Sequence, residues 1–261
     1  MSTLTSHLLI CKDNHYLTAT LSSNQTVLLP LANSQDPIRL IKTRLNGVVN
    51  VQVTIDLGSA KECQSFFVFD TNLTAAATVE WRRSTDNFAA NDIQIAAATT
   101  TGSFPYQVCH ALLLTEAITT RYLRVIFSDA SSAAGYIEFG IVGVCPNVQF
   151  TRTLSPGARI EAIDTTGIEL SPAGIPHITL GVTRTQITWT LDSLSRADML
   201  SLYDIARTLD RKSLFVSLFP LLEDAEMRRR TTLYGGFENY GQMSSILFNV
   251  WDAQGVIFQE R

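Results

Sequence analysis

The segment from residue 49 to residue 57 alternates strictly between apolar and polar side chains, and this pattern constrains the fold more than any other. Its apolar positions are Val49, Val51, Val53, Ile55 and Leu57. A period of two places all of these side chains on one face of an extended chain, whereas a helix would scatter them. The pattern therefore predicts a strand with one face in the core, which we expect Gly58 to end.

Several other segments also read as strands. Ser65 to Asp70 is almost continuously apolar, which is typical of a central strand covered on both faces. Alternation returns at Leu123 to Phe127 and at Tyr136 to Ile141, in which Ile137, Phe139 and Ile141 lie between Tyr136, Glu138 and Gly140. Such strands joined by turn residues predict a mainly β protein built on a sandwich or barrel. We expect these side chains in its core: Val51, Val53, Ile55, Phe67, Leu123, Val125 and Ile137.

A division into two domains is predicted at Cys145-Pro146-Asn147. With 261 residues the chain is long enough for two domains. Residues 1–147 form the first predicted domain and residues 148–261 a second β-rich domain with a helix at 195–210. Ser195 can cap that helix, and apolar residues recur at helical spacing along one face. These are Met199, Leu202, Ala206 and Leu209, which we expect to pack on a sheet.

The composition argues against several functional classes. The formal net charge of −4 favours neither nucleic-acid binding nor attachment to an anionic membrane, and no apolar run is long enough to insert into a membrane. The four cysteines and four histidines show no metal-ligand spacing, so no metal is expected. Nucleophile elbows, phosphate-binding loops and dinucleotide-binding glycine motifs are absent. We therefore expect neither an enzyme nor a cofactor.

Acidic and basic residues lie close together between residues 223 and 230, in the second predicted domain. Arg228, Arg229 and Arg230 follow three acidic residues, so the local net charge is near zero and phosphate binding is disfavoured. A solvated segment or a contact between subunits is the favoured interpretation, and in a contact the nearby aromatic residues would supply apolar area. The candidate contact residues are Glu223, Asp224, Glu226, Arg228, Arg229, Arg230, Tyr234 and Phe237.

Three segments of the first domain carry a family resemblance: Thr54 to Leu73, Ala77 to Asp86, and Arg121 to Val144. Their "IDLG", "STD" and "RYLRV" motifs are similar to discoidin-like, galactose-binding-like jelly rolls, and "GYIEFGIVGV" is closer to the versions found in bacteriophage tail proteins. Thr188 to Asp192, the predicted helix and Leu233 to Asn239 resemble the tail-tube-like module of distal-tail proteins. The resemblance covers roughly the whole chain, although its motifs are short.

The resemblance implies a structural protein of a phage tail tip or baseplate, assembled in the bacterial cytoplasm and carried on the virion. Its implied partners are copies of itself, in a hexameric or trimeric ring that continues the tail tube, and other tail or fibre proteins. The alternative is a carbohydrate-binding module that recognises a host surface glycan through loops at one end of the jelly roll. The corresponding residues here are Asn33, Asp36, Arg39, Arg44 and Asn72, and the sequence indicates no aromatic side chain beside them.

Overall fold

A computed structural model describes residues 8–36, 41–100, 108–152, 154–170, 176–179, 181, 183–209, 213–221, 228, 230–239, 243–247 and 250–259. The first strands are β1 Leu9–Cys11, β2 Thr20–Ser23, β3 Val27–Leu29, β4 Thr43–Asn46, β5 Val51–Phe69, β6 Thr78–Ser84, β7 Ile93–Thr100, β8 Val108–Ser128, β9 Tyr136–Phe139, β10 Val142–Cys145 and β11 Val148–Gln149. The later elements are β12 Arg159–Asp164, β13 Gly167–Leu170, β14 Pro176–Thr179, β15 Thr183–Ser195, α1 Arg196–Leu209, β16 Leu214–Ser217, β17 Thr232–Asn239, β18 Met243–Leu247 and β19 Val250–Gln259. Two short 3₁₀ helices span His15–Thr18 and Leu31–Gln35.

The chain divides into two compact units. The first contains Met1–Phe150 and Leu214–Tyr234, and the second contains Thr151–Ser213 and Gly235–Arg261. Residues 214–234 therefore group with the first unit, whereas the predicted boundary at Cys145-Pro146-Asn147 had put them in the second domain. The reason is long-range pairing: β16 runs antiparallel to β1, with Ile10 opposite Val216. Local hydrophobic patterns predict that a strand exists but do not select its partner.

The first unit is a β sandwich. One sheet has the order β10-β5-β8-β6-β7, with β2 also paired to β5, and the other has the order β3-β4-β9. Inward side chains from both sheets, including Val53, Trp81 and Ile137, pack in one hydrophobic core. All seven side chains expected in the core are completely buried. The predicted fold class, mainly β with a jelly-roll-type sandwich in the first half, is confirmed.

Strand β5 shows why its second half is continuously apolar. Phe66 and Val68 lie in the sandwich core. Phe67 and Phe69 belong to a second apolar cluster of the same unit, together with Phe215. Both faces of this part of β5 are therefore buried, as predicted for a central strand. The predicted end at Gly58 is wrong, because Gly58 adopts φ +76° where the register with β8 shifts, and the strand continues beyond it.

The second unit combines a sheet with a helix. Strand β19 lies between β15 and residues Gly235–Asn239, and β19 also pairs with β18. Strand β12 lies on the other side of β15. Helix α1 packs on β15 and β19. Its predicted cap is present, since the Asp198 amide donates to Ser195 Oγ at 3.1 Å.

The apolar face of α1 differs in part from the predicted stripe. Leu202 is buried as expected, but Ile205 joins it where the stripe had Ala206. Met199 and Ala206 are half-buried, and the side chain of Leu209 lies outside the described residues. Ile205 contributes because the buried face is wide enough to take in an adjacent position. No helix in the described ranges is long and apolar enough to span a membrane.

Candidate functional site

The outer face of the three-stranded sheet carries a cluster of paired charges in the first unit. Strands β4 and β9 alternate, so that Leu45 and Ile137 point into the core while Arg44 and Glu138 remain on the other face. Arg44 and Glu138 are cross-strand partners in the antiparallel register. The pleat therefore brings together two residues that are 94 positions apart in the sequence.

Glu138 is the centre of this cluster. Its Oε2 accepts hydrogen bonds from Arg44 Nε at 3.0 Å and from a terminal guanidinium nitrogen of Arg44 at 2.6 Å. Its Oε1 lies 3.3 Å from Lys42 Nζ. The hydrogen bond to Glu138 raises the pKa of Arg44 above its usual value, so the guanidinium stays charged. One carboxylate thus orients two cations on the same face of the sheet.

Lys42 joins Glu138 to a second carboxylate, since its Nζ lies 3.2 Å from Asp70 Oδ1. Partial burial lowers the pKa of Lys42, but the Asp70 and Glu138 carboxylates outweigh this effect and raise it above the usual value. The Asp70 side chain is 8% exposed and that of Lys42 is 28% exposed. Asp70 adopts φ +53°, a left-handed conformation that Asp tolerates better than most residues.

Two asparagines support the backbone around these charges. Asn72 Oδ1 accepts the Glu138 amide at 2.7 Å, and Asn72 Nδ2 donates to the Tyr136 carbonyl at 3.0 Å. Asn33 Nδ2 donates to the Lys42 carbonyl at 2.9 Å. These bonds fix the backbone on both sides of the cluster, so its charged side chains project from a rigid frame.

An aromatic ring completes the site. The Arg44 guanidinium carbon lies 4.2 Å from the centroid of the Tyr136 ring, and the ring is half-buried. We call Lys42, Arg44, Asp70, Tyr136 and Glu138 the Glu138 cluster. Partly exposed N–H donors, carboxylate acceptors and an aromatic surface meet there, which is the combination that binds hydroxyl groups and C–H faces of a polar ligand.

The structure brings together three of the five residues in the predicted ligand loops: Asn33, Arg44 and Asn72. Asp36 instead ends the second 3₁₀ helix, where its amide donates to the Asn33 carbonyl at 3.2 Å. Arg39 lies outside the described residues. Tyr136, the aromatic neighbour of Arg44, was not predicted from the sequence because it lies far from Arg44 in the chain. The alternation at 136–141 had already placed Tyr136 and Glu138 on the solvent side, but their cross-strand partner was unknown.

Much of the predicted subunit contact falls on residues that the structure does not describe. Glu223, Asp224, Glu226 and Arg229 lie outside the described residues, as does the side chain of Phe237. The Arg228 carbonyl accepts from the Thr231 and Thr232 hydroxyls, at 3.2 and 2.8 Å.

Tyr234 corrects part of that expectation. It is 2% exposed and packs against Phe69 and Phe215 at ring-centroid distances of 6.1 and 4.8 Å. Its ring therefore contributes to the core of the first unit rather than to an exposed contact. The correction has a simple cause: β17 begins as a buried strand, and an aromatic residue followed by two glycines does not reveal which sheet it joins.

A second arginine–aromatic pair occurs in the same unit. The Arg121 guanidinium carbon lies 4.8 Å from the Tyr122 ring centroid, and Arg121 donates to both Asp56 oxygens at 2.8 and 2.9 Å. Arg121, Tyr122 and Asp56 thus repeat the arrangement of Arg44, Tyr136 and Glu138. The counterparts of Lys42 and Asp70 are not part of this group. It offers a natural control for the Glu138 cluster. Among the described side chains, no group of three or more His, Cys, Asp and Glu is placed to hold a metal ion.

Comparison with known proteins gives structural likenesses only. No family model matches the chain and no curated protein is similar to it. A variant of chitosan-binding module 1 from a Paenibacillus sp. IK-5 chitosanase/glucanase is 18% identical, with a TM-score of 0.43 over 51% of this chain and 98% of that one. The first CBM32 module of a Clostridium perfringens family 31 glycoside hydrolase is 12% identical, with a TM-score of 0.42 over 52% and 99%.

A third solved structure is chitosan-binding module 2 from the same Paenibacillus enzyme, in complex with chitotriose. It is 16% identical, with a TM-score of 0.42 over 51% of this chain and 100% of the module. These likenesses span about half of the present chain and do not identify a ligand for it. Nothing in the three comparisons supports the expected resemblance to phage tail proteins.

Proposed function

We propose that this chain is a non-catalytic carbohydrate-binding module whose site is the Glu138 cluster. The observation that carries the proposal is the Arg44 guanidinium, which lies over the Tyr136 ring while donating two hydrogen bonds to Glu138. This arrangement holds donors, acceptors and an aromatic surface in one place before any ligand arrives. Preorganisation of this kind lowers the entropic cost of binding.

The chemistry of the cluster suits a sugar. Vicinal hydroxyls of a pyranose both donate and accept hydrogen bonds, and the cluster offers carboxylates as acceptors and Arg44 and Lys42 as donors. The side chains of Arg44 and Lys42 are 36% and 28% exposed, so their N–H groups remain accessible to a ligand. Tyr136 adds apolar contact area for the C–H groups of the ring.

The experiment is a binding screen with matched variants of the full chain. Chitotriose, GalNAc-β-1,3-galactose and a glycan array are probed first, followed by isothermal titration with the best ligand. We expect Arg44→Gln and Glu138→Gln to weaken binding about tenfold or more, because each removes a charged hydrogen-bonding group. Arg121→Gln, which breaks the similar pair with Asp56 and Tyr122, should leave the affinity unchanged. Failure of the wild-type chain to bind any glycan, or an equal loss in Arg121→Gln, would refute the proposal.

A structural role through self-association is the second candidate. Strand β3 ends the three-stranded sheet, and its side chains Val27, Leu28 and Leu29 are 43%, 49% and 36% exposed. An apolar edge strand is a template for pairing with another chain. The mass in solution tests this role: the wild-type chain should form a closed oligomer that Leu28→Lys dissociates, and a monomer at all concentrations would argue against it.

A further inference from the structure

Two cysteines that are remote in sequence belong to the same apolar cluster of the first unit. Cys11 is in β1 and Cys145 ends β10, and both thiols are buried at 1% exposure or less. Both belong to the apolar cluster formed with Phe67, Phe69 and Phe215. Burial raises the pKa of Cys145 well above its usual value, and the nearby Cys11 thiol raises it further.

Neighbouring contacts place β1 beside the segment that follows β10. Strand β1 pairs antiparallel with β11, with Ile10 opposite Val148. Cys11 Sγ donates to Asn147 Oδ1 at 3.8 Å, and the same oxygen accepts the Ser65 hydroxyl. Ser65 is in turn the cross-strand partner of Cys145. The backbone on both sides of the thiol pair is therefore held in register.

We propose that Cys11 and Cys145 form a redox site, in which a disulfide bond ties the first strand of the unit to β10. The oxidant is a small-molecule disulfide such as glutathione disulfide. One cysteine thiolate attacks it and releases one glutathione thiolate, leaving a mixed disulfide on the protein. The second cysteine then attacks the protein sulfur and releases the other glutathione. Two protein thiols are oxidised, one glutathione disulfide is reduced to two glutathione molecules, and the thiol protons are transferred to the released thiolates or to solvent.

Burial determines when this reaction proceeds. The folded unit excludes solvent from both sulfurs, and burial raises the pKa of Cys145 well above its usual value, so little Cys145 thiolate is present. Oxidation therefore requires β1 to be undocked, during folding or partial unfolding. Once formed, the bond closes a loop of about 130 residues, which removes much chain entropy from the unfolded state.

Cys63 provides a matched control. It is also a buried free thiol of the same unit, and burial raises its pKa to about 12. Its Sγ donates to the Lys61 carbonyl at 3.7 Å rather than to a thiol. A Cys63→Ala variant therefore removes a buried thiol without removing either member of the proposed pair.

The experiment is to refold the full chain with a glutathione redox mixture or with a reducing agent. Intact mass and peptide mapping should show loss of two hydrogens and a Cys11–Cys145 linkage, with a Tm about 5–10 °C higher than that of the reduced chain. Cys63→Ala should keep this difference, and Cys11→Ala and Cys145→Ala should lose it. A wild-type chain that stays fully reduced, or a linkage that maps to Cys63 or Cys109, overturns the proposal without relying on any variant to fold.

Discussion

The indole ring of Trp189 packs against Gly255 on the neighbouring strand, so closely that a Cβ atom at position 255 would lie 2.4 Å from Cζ2 of Trp189. The two residues are direct cross-strand partners between β15 and β19. Trp189 is 1% exposed. The missing side chain of the glycine leaves the space that the Trp189 ring fills.

Gly255→Ala should lower the free energy of unfolding by about 1–3 kcal/mol, because the added methyl group would overlap the buried Trp189 ring. Denaturant unfolding measures the loss. Gly167→Ala is the control, since a Cβ atom there meets only Thr179 Cβ at 3.9 Å. Equal stability of the two variants would contradict the close packing of Trp189.

Ser195→Ala should destabilise the chain by about 0.5–2 kcal/mol, since Ser195 Oγ accepts the otherwise unpaired Asp198 amide in the first turn of α1. Thermal or urea unfolding checks the effect. Ser201→Ala, an exposed position within the same helix, should be neutral or slightly stabilising because alanine favours helix. The capping role fails if both substitutions have the same effect.

Asp129 should make the free energy of unfolding decrease as the solution becomes acidic. It is 1% exposed and accepts the Thr74 amide and hydroxyl, each at 2.7 Å, and the Ser131 hydroxyl at 2.9 Å. Burial raises the pKa of Asp129, but these hydrogen bonds outweigh it and lower the pKa below its usual value. The ionised carboxylate therefore stabilises the fold above about pH 4, and this contribution is lost as the pH falls through the lowered folded-state pKa.

Urea unfolding at a series of pH values between 7 and 2.5 measures this dependence. Asp129→Asn should be less stable than wild type at pH 7 and should lose less stability on acidification, because it has no carboxylate to protonate. Glu116→Gln, at an exposed position, should follow the wild-type profile. Parallel profiles for Asp129→Asn and wild type would rule out Asp129 as the titrating group.

Asp70 tests the backbone of the Glu138 cluster. Asp70→Ala should lower the free energy of unfolding by about 1–2 kcal/mol, because alanine disfavours the φ of +53° found at this position. Asp70→Asn should be milder, since asparagine tolerates that conformation while losing the charge that faces Lys42. The unfolding free energies of the two variants distinguish backbone strain from loss of the ion pair with Lys42. An Asn variant that is no more stable than the Ala variant would assign the effect to the ion pair.

The candidate site was predictable only in part. Asn33, Arg44 and Asn72 stand out as polar residues in turn-bearing segments of a sandwich, and their types already suit hydrogen bonding. Glu138 and Tyr136 could be placed on the solvent face by alternation, but not beside Arg44. That neighbour relation is set by the β4–β9 register, which joins segments about 90 residues apart.

The sequence alone determined most of the local structure: the strand periods at 51–57 and 136–139, the buried second half of β5, and the cap that starts α1. These features depend on residues within a few positions of one another, so side-chain spacing and hydrogen-bonding capacity specify them directly. The alternation predicted from residue 49 was wrong at its first position, because Val49 precedes the strand and is 55% exposed. Only the tertiary structure decided that β16 pairs with β1, that Tyr234 is a core residue and that Glu138 lies between Lys42 and Arg44. The physical reason is that backbone hydrogen bonds are the same for every strand, so the choice of partner depends on how all the buried faces pack together.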